Sequence, residues 1–185
     1  MKNLFLQYKP FFLFLIKFFV LYVVLTVGYK LYLNQFDTTG FEVDCFTQMV
    51  AEQSETVLVF LGKEAKTEPN AFEPCVNLIY NGKFVARIIE GCNALSVMIL
   101  FAAFVFAFSG KWLKTFSYIL LGCVLIHVLN VLRIAFLAMA LYSYPDYEHI
   151  LHGVIFPLFI YAVVFILWVL WVQKFSGYAA DTPKK

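Results

Sequence analysis

Charge is scarce in this chain. Only 14% of its residues are charged, 62% are hydrophobic, and the mean hydropathy is +0.80. A water-soluble domain carries a larger charged fraction and spreads it over its surface, so that class is excluded. No basic patch is present that could hold a nucleic-acid backbone. The His-Glu-x-x-His pattern of an intramembrane metalloprotease is missing, and no other motif asks for a metal or a cofactor. There are four cysteines but no Cys-x-x-Cys pair, which a four-helix thiol oxidase passing electrons to quinone would need. No helical repeat or low-complexity tract appears.

What is abundant is long apolar runs. They cover Phe11 to Leu33, Asn93 to Ser109, Phe116 to Tyr142 and Leu151 to Val172. A crossing needs about 20 apolar residues, and the backbone must satisfy its own hydrogen bonds in hydrocarbon, so these runs read as helices. Lys17 and Lys30 sit near the ends of the first run, where long side chains can snorkel. Trp168 and Trp171 end the last run, where an aromatic belt is expected. The first run is long and lacks a small-x-small cleavage site, so it reads as an anchor rather than a signal peptide. The expectation is an all-α membrane protein, one integral domain over 1–185, with four transmembrane helices.

Orientation follows from the bases. Lys2, Lys9, Lys111, Lys114, Lys174, Lys184 and Lys185 fall on one side of such a chain, and the positive-inside rule makes that side cytoplasmic. The segment between the first two runs holds nine acids and four bases and is expected outside, as is the short loop from Ser143 to Ile150. This outer segment, 34–91, is too long for a bare connection. Phe46, Met49, Val50, Val57, Leu58, Phe60 and Leu61 partly fit a helical period that Gly62 would end. Pro69 and Pro74 mark irregular chain. Val76 to Tyr80 and Phe84 to Ile89 flank Asn81-Gly82, a strong hairpin signal. The expected cap is therefore one amphipathic helix plus one β-hairpin, either a plain lid or a docking surface. Cys45 and Cys75 both lie in it, and an oxidising compartment would allow them to form a disulfide. Cys123, mid-membrane, reads as a small apolar residue.

Three residues resist explanation as packing. Arg133 stands inside an apolar run, where a guanidinium costs at least about 2.5 kcal/mol on insertion scales and usually marks a functional site. With His127 and Asn130 it forms a stripe repeating every three residues, suited to the bundle interior. A structural polar network between helices is the plainer reading of that stripe. Cys92 opens the second helix at its outer end, where unpaired N–H groups favour a thiolate. His152 opens the fourth helix on the same face and could exchange protons with it. His149, three residues earlier, competes for that role. Arg133 could hold the thiolate or a developing oxyanion.

At these positions the chain resembles the exosortase/archaeosortase family of multi-pass membrane transpeptidases. The matching segments are Glu90-Gly91-Cys92-Asn93-Ala94-Leu95-Ser96, Asn130-Val131-Leu132-Arg133-Ile134 and His152-Gly153-Val154-Ile155-Phe156. They keep the family order of Cys, Asn-x-x-Arg and His, over roughly the second half of the chain. Small size and a long first outer loop resemble the compact variants called exosortase F. The resemblance implies a cysteine nucleophile at Cys92, with Arg133 and His152 as its partners. It also implies that the enzyme cleaves a C-terminal sorting tail from exported proteins at the outer face of the plasma membrane and passes the acyl group to an acceptor nucleophile. Where the family commonly has a glycine two positions after the cysteine, this chain has Ala94. The rival readings are a thiol-disulfide oxidoreductase, for which Cys123 is misplaced, and a non-catalytic membrane subunit of an export complex, which has no need for Cys92, Arg133 and His152 to converge.

This topology has a direct test. Reporters fused after Thr115 and after Lys185 are expected to stay cytoplasmic, and one inserted near Pro69 to be exported. A cytoplasmic reporter at Pro69 would reverse the orientation and put all three residues on the wrong side.

Overall fold

The computed structural model describes residues 2–36, 41–108 and 110–175. Asp37, counted in the acidic segment, and Lys184 and Lys185, counted in the basic tail, lie outside the described residues. Helix α1 covers Lys2–Leu33, α2 Cys45–Phe60, α3 Leu95–Ala107 and α4 Trp112–Ser143. Strands β1 (Ala65–Pro69), β2 (Val76–Tyr80) and β3 (Lys83–Ile88) lie between α2 and α3. A 3₁₀ turn at Pro145–Tyr147 leads into the single turn α5 (Glu148–Ile150). A π-turn at Leu151–Ile155 leads on into α6 (Phe156–Leu170).

Three helical segments are long and apolar enough to cross a membrane: Tyr8–Leu33, Trp112–Ser143 and Pro145–Lys174. The fourth expected crossing is shorter. Its apolar run forms only the 13-residue α3, about 20 Å long against a hydrocarbon thickness of about 30 Å. Part of the reason lies at its start. Ala94 adopts φ +63°, in the left-handed region. The run's first residues are therefore spent on a turn, and the helix begins at Leu95.

The chain forms two compact units. One contains Met1–Lys30, Leu95–Val124 and Val164–Lys185. Aromatic rings hold it together. Phe14 packs on Phe104 and Phe108, and Trp168 stacks on Phe104 with centroids 4.3 Å apart. Gly122 lets α3 approach α4, since a Cβ there would meet the Phe101 ring at 2.3 Å. Trp171 is not an exposed belt residue. It is fully buried, packs on Tyr118 and donates its indole N–H to the Phe108 carbonyl at 3.3 Å.

The other unit contains Leu31–Ala94 and Leu125–Val163. Its core joins Val50, Ala51 and Leu58 of α2, Val76, Leu78 and Tyr80 of β2, and Ile88 of β3 to Val131, Ile134, Ala135 and Ala138 of α4. The α4 residues follow the i, i+3, i+4, i+7 spacing of one helix face. The hairpin forms at Asn81-Gly82, both at positive φ (49° and 71°). It belongs to a three-stranded antiparallel sheet of order β1-β2-β3, not to a lone hairpin. Strand β1 carries the polar run Lys66-Thr67-Glu68 and shows no apolar alternation. Pairing with β2 fixes it, and Glu55 of α2 accepts from the Thr67 N–H and hydroxyl, each at 2.6 Å. Pro69 closes the strand at the sheet edge, where a missing N–H is tolerated.

The expected Cys45–Cys75 disulfide does not form; both thiols are free. Cys45 is exposed at the start of α2, while Cys75 is buried before β2. Burial, then the Glu73 carboxylate, push the Cys75 thiol up, which makes it a poor thiolate for exchange.

Two substitutions probe this frame. Asp44 caps α2, accepting from Phe46 N at 3.1 Å and Thr47 N at 3.0 Å. Asp44→Ala should cost about 1–2 kcal/mol, read as a lower unfolding temperature in detergent. Ala94→Gly relieves a left-handed alanine and should raise stability by up to about 1 kcal/mol in the same measurement. A loss instead would mean the methyl packs usefully.

Candidate active site

The turn Glu90–Cys92 carries Cys92 between the end of β3 and the start of α3. Cys92 is 7% exposed and belongs to the core of the second unit. Two carboxamides fix this turn. Asn130 of α4, fully buried, donates its Nδ2 to the Cys92 carbonyl at 2.8 Å. Asn93 donates its Nδ2 to Thr47 Oγ1 at 3.0 Å, and Thr47 Oγ1 donates to Asp44 Oδ2 at 2.5 Å. Asn93 and Thr47 are buried too. Cys92 is thus tied to α4 by its own carbonyl and to α2 through its neighbour.

Arg133 is half-buried and donates from Nη1 to Asn130 Oδ1 at 3.2 Å. Its Nε is buried and has no hydrogen-bond partner among the described residues. The guanidinium lies within electrostatic range of the Cys92 sulfur and the Tyr161 hydroxyl. The carbon stem of Arg133 lines an apolar pocket of about 390 Å³ walled by Leu129, Phe136, Phe156 and Phe159. The polar stripe exists, but its members turn to different partners. His127 shares a 2.7 Å hydrogen bond between Nε2 and Gln53 Oε1 of α2 and packs on Phe46. It faces α2, not Cys92.

His152 lies in the π-turn before α6. Pro157, second residue of α6, has no N–H to give the Gly153 carbonyl, which accounts for a break in helical register there. Cys92 and His152 line one pocket of about 310 Å³ with Arg87, Ile89, Leu141 and Glu148. His149 is exposed and does not line that pocket. The structure therefore brings Cys92 and His152 to one cavity and joins Arg133 to the Cys92 backbone through Asn130. Among the described residues no group of His, Cys, Asp and Glu is arranged to hold a metal ion.

Sequence reading did not single out Glu73, Arg87 and Glu148 as pocket residues. Arg87 pairs with Glu73, and Glu148 has no ion pair among the described residues. Only the fold brings β3 beside the segment after α4, so nothing in the local sequence signalled them. The Asp44–Thr47–Asn93 chain was half-visible, since Asp44 precedes an apolar helical run as a capping residue does.

No curated protein matches the chain, and no solved structure does. The family model described as transmembrane exosortase, of the EpsH kind, matches residues 3–171. That match includes the Cys92 turn, the Asn130–Arg133 segment and His152, and it runs through nearly the whole chain. The chain belongs to the transmembrane exosortase family.

Proposed function

We propose that this protein is a membrane-embedded cysteine transpeptidase. It cleaves a C-terminal sorting signal from exported proteins at the outer face of the plasma membrane and transfers the acyl group to an acceptor nucleophile. The observation that carries this reading is the shared pocket of Cys92 and His152, with Arg133 tied to the Cys92 turn through Asn130. The long segment between α1 and α3 favours the compact exosortase F type.

In this reading His152 takes the Cys92 proton as sulfur attacks the scissile carbonyl. The resulting imidazolium returns the proton to the leaving amine nitrogen as the C–N bond breaks, which leaves a thioester on Cys92. An acceptor then attacks the thioester, its proton passes through His152 to the Cys92 sulfur, and the C–S bond breaks. Arg133 supplies fixed positive charge beside the developing oxyanion. Its unspent Nε donor is consistent with that role.

Helix lengths support an outer-face site in a chain whose termini are cytoplasmic. From Trp112 to Arg133, α4 rises about 31 Å at about 1.5 Å per residue, close to the hydrocarbon thickness of about 30 Å. With Trp112 at the inner boundary, Arg133 reaches the outer one. The 32-residue α4 then continues beyond it, and α2 and the sheet form an extracytoplasmic cap around the excess. In this topology α3 with the turn before it makes the fourth crossing.

Cys92→Ala should abolish processing of the exported substrate while folded protein persists in the membrane. Arg133→Lys should not restore activity, because an ammonium cannot reproduce a planar fork of donors. Mass spectrometry of the wild-type protein should find an acyl adduct on Cys92. Normal processing by Cys92→Ala would remove the nucleophile assignment and favour a non-catalytic subunit.

A further inference from the structure

The sheet has two edges, and they are treated differently. At the β1 edge, Thr67 gives its N–H to Glu55 and Pro69 has none to give. These are the devices that keep an edge strand from pairing with another chain. Among the described residues, strand β3 pairs only with β2. Among the described residues, no side chain takes up the backbone groups of its other edge.

That open edge borders a groove. The pocket holding Cys92 and His152 adjoins a second one, also of about 310 Å³, and the two share Leu141 and Glu148. One wall of the combined groove is β3 and its continuation: Lys83, Phe84 and Val85 in the second pocket, Ala86, Arg87 and Ile89 in the first. The facing wall is the chain from Leu141 to His152. The groove thus follows β3 along its length, about 20 Å for six extended residues, and includes Cys92 in its lining.

We propose that the substrate polypeptide binds as an added strand on the free edge of β3, which delivers its scissile carbonyl to Cys92. The occupant follows from the chemistry of the edge. A strand edge offers N–H and C=O groups at a fixed spacing, and only another extended backbone satisfies them in register. A lipid chain or a sugar cannot. Affinity then comes largely from main-chain hydrogen bonds, and selectivity from side chains along the groove. Arg87 is neutralised by Glu73, so among the described residues the groove keeps two charges without an ion pair: Lys83 in the second pocket and, midway and bordering both pockets, Glu148. Glu148 favours a basic or neutral residue at that point of the substrate and disfavours an acidic one. This inference rests on the transpeptidase reading above and specifies how that site receives its substrate.

The test uses the full chain in its membrane. A photo-crosslinking amino acid replaces Phe84, 60% exposed in the groove, and in a separate variant Phe72, 82% exposed and lining neither pocket. The Phe84 variant should crosslink an exported polypeptide, more strongly when combined with Cys92→Ala, and the Phe72 variant should not. Peptides synthesised from the crosslinked sequence then carry single N-methyl amides. Cleavage should fall roughly five- to tenfold at alternate residues, as expected when single hydrogen bonds are lost along a strand with a two-residue period. An acyl adduct on Cys92 without a Phe84 crosslink, or a flat N-methyl profile, overturns the strand-addition proposal and leaves the transpeptidase reading standing. Absence of any adduct on Cys92 overturns both.

Discussion

The carboxamide of Asn130 is the interaction on which the rest of the site depends. It is fully buried, and it works in both directions: it donates to the Cys92 carbonyl and accepts from Arg133. A buried amide left without partners costs about 1–3 kcal/mol per orphaned group. The Cys92 turn, α4 and the guanidinium are therefore held as one arrangement. The turn contributes only three residues and could not fix its own orientation. Its position is set by a side chain from a helix 38 residues further along the chain.

The second anchor comes from the other side. Asn93, next to Cys92, reaches Thr47, which reaches Asp44, the cap of α2. Helix nucleation and site geometry are thus coupled: the carboxylate that starts α2 also ends the hydrogen-bond chain from the residue after Cys92. The core of α2, β2 and β3 against the Val131–Ala138 face of α4 builds upon these two anchors. Strain accompanies them. Ala94 takes a left-handed backbone between Asn93 and α3. The tight exit from the turn is needed to start α3, whichever residue occupies it.

Much of the candidate site was legible residue by residue. Arg133 in an apolar run, Asn130 one turn before it, and Cys92 ahead of an apolar helix were each visible, because a polar group at membrane depth is expensive wherever it occurs. The Asn81-Gly82 hairpin was visible because positive φ at two consecutive positions suits few residues. His152 could not be separated from His149 by spacing, since both lie at the start of the same apolar run. Strand β1 was not legible, because its residues have no alternation and depend on β2 and Glu55. The disulfide expectation failed because compartment permits a bridge but says nothing about whether two thiols share an exposed, reactive setting. Here one is exposed and the other buried.

By itself the sequence determined that this is a membrane protein, where its apolar helices run, and which few polar residues are costly enough to need a purpose. These follow from local composition and period, which act over one or two helical turns. Tertiary structure decided the rest. It shortened α3, turned His127 toward α2, set Cys92 and His152 around one cavity, and laid β3 along a groove that ends there. Those outcomes depend on pairings between residues tens of positions apart. Each is chosen by which buried donor meets which buried acceptor, and no local pattern encodes that.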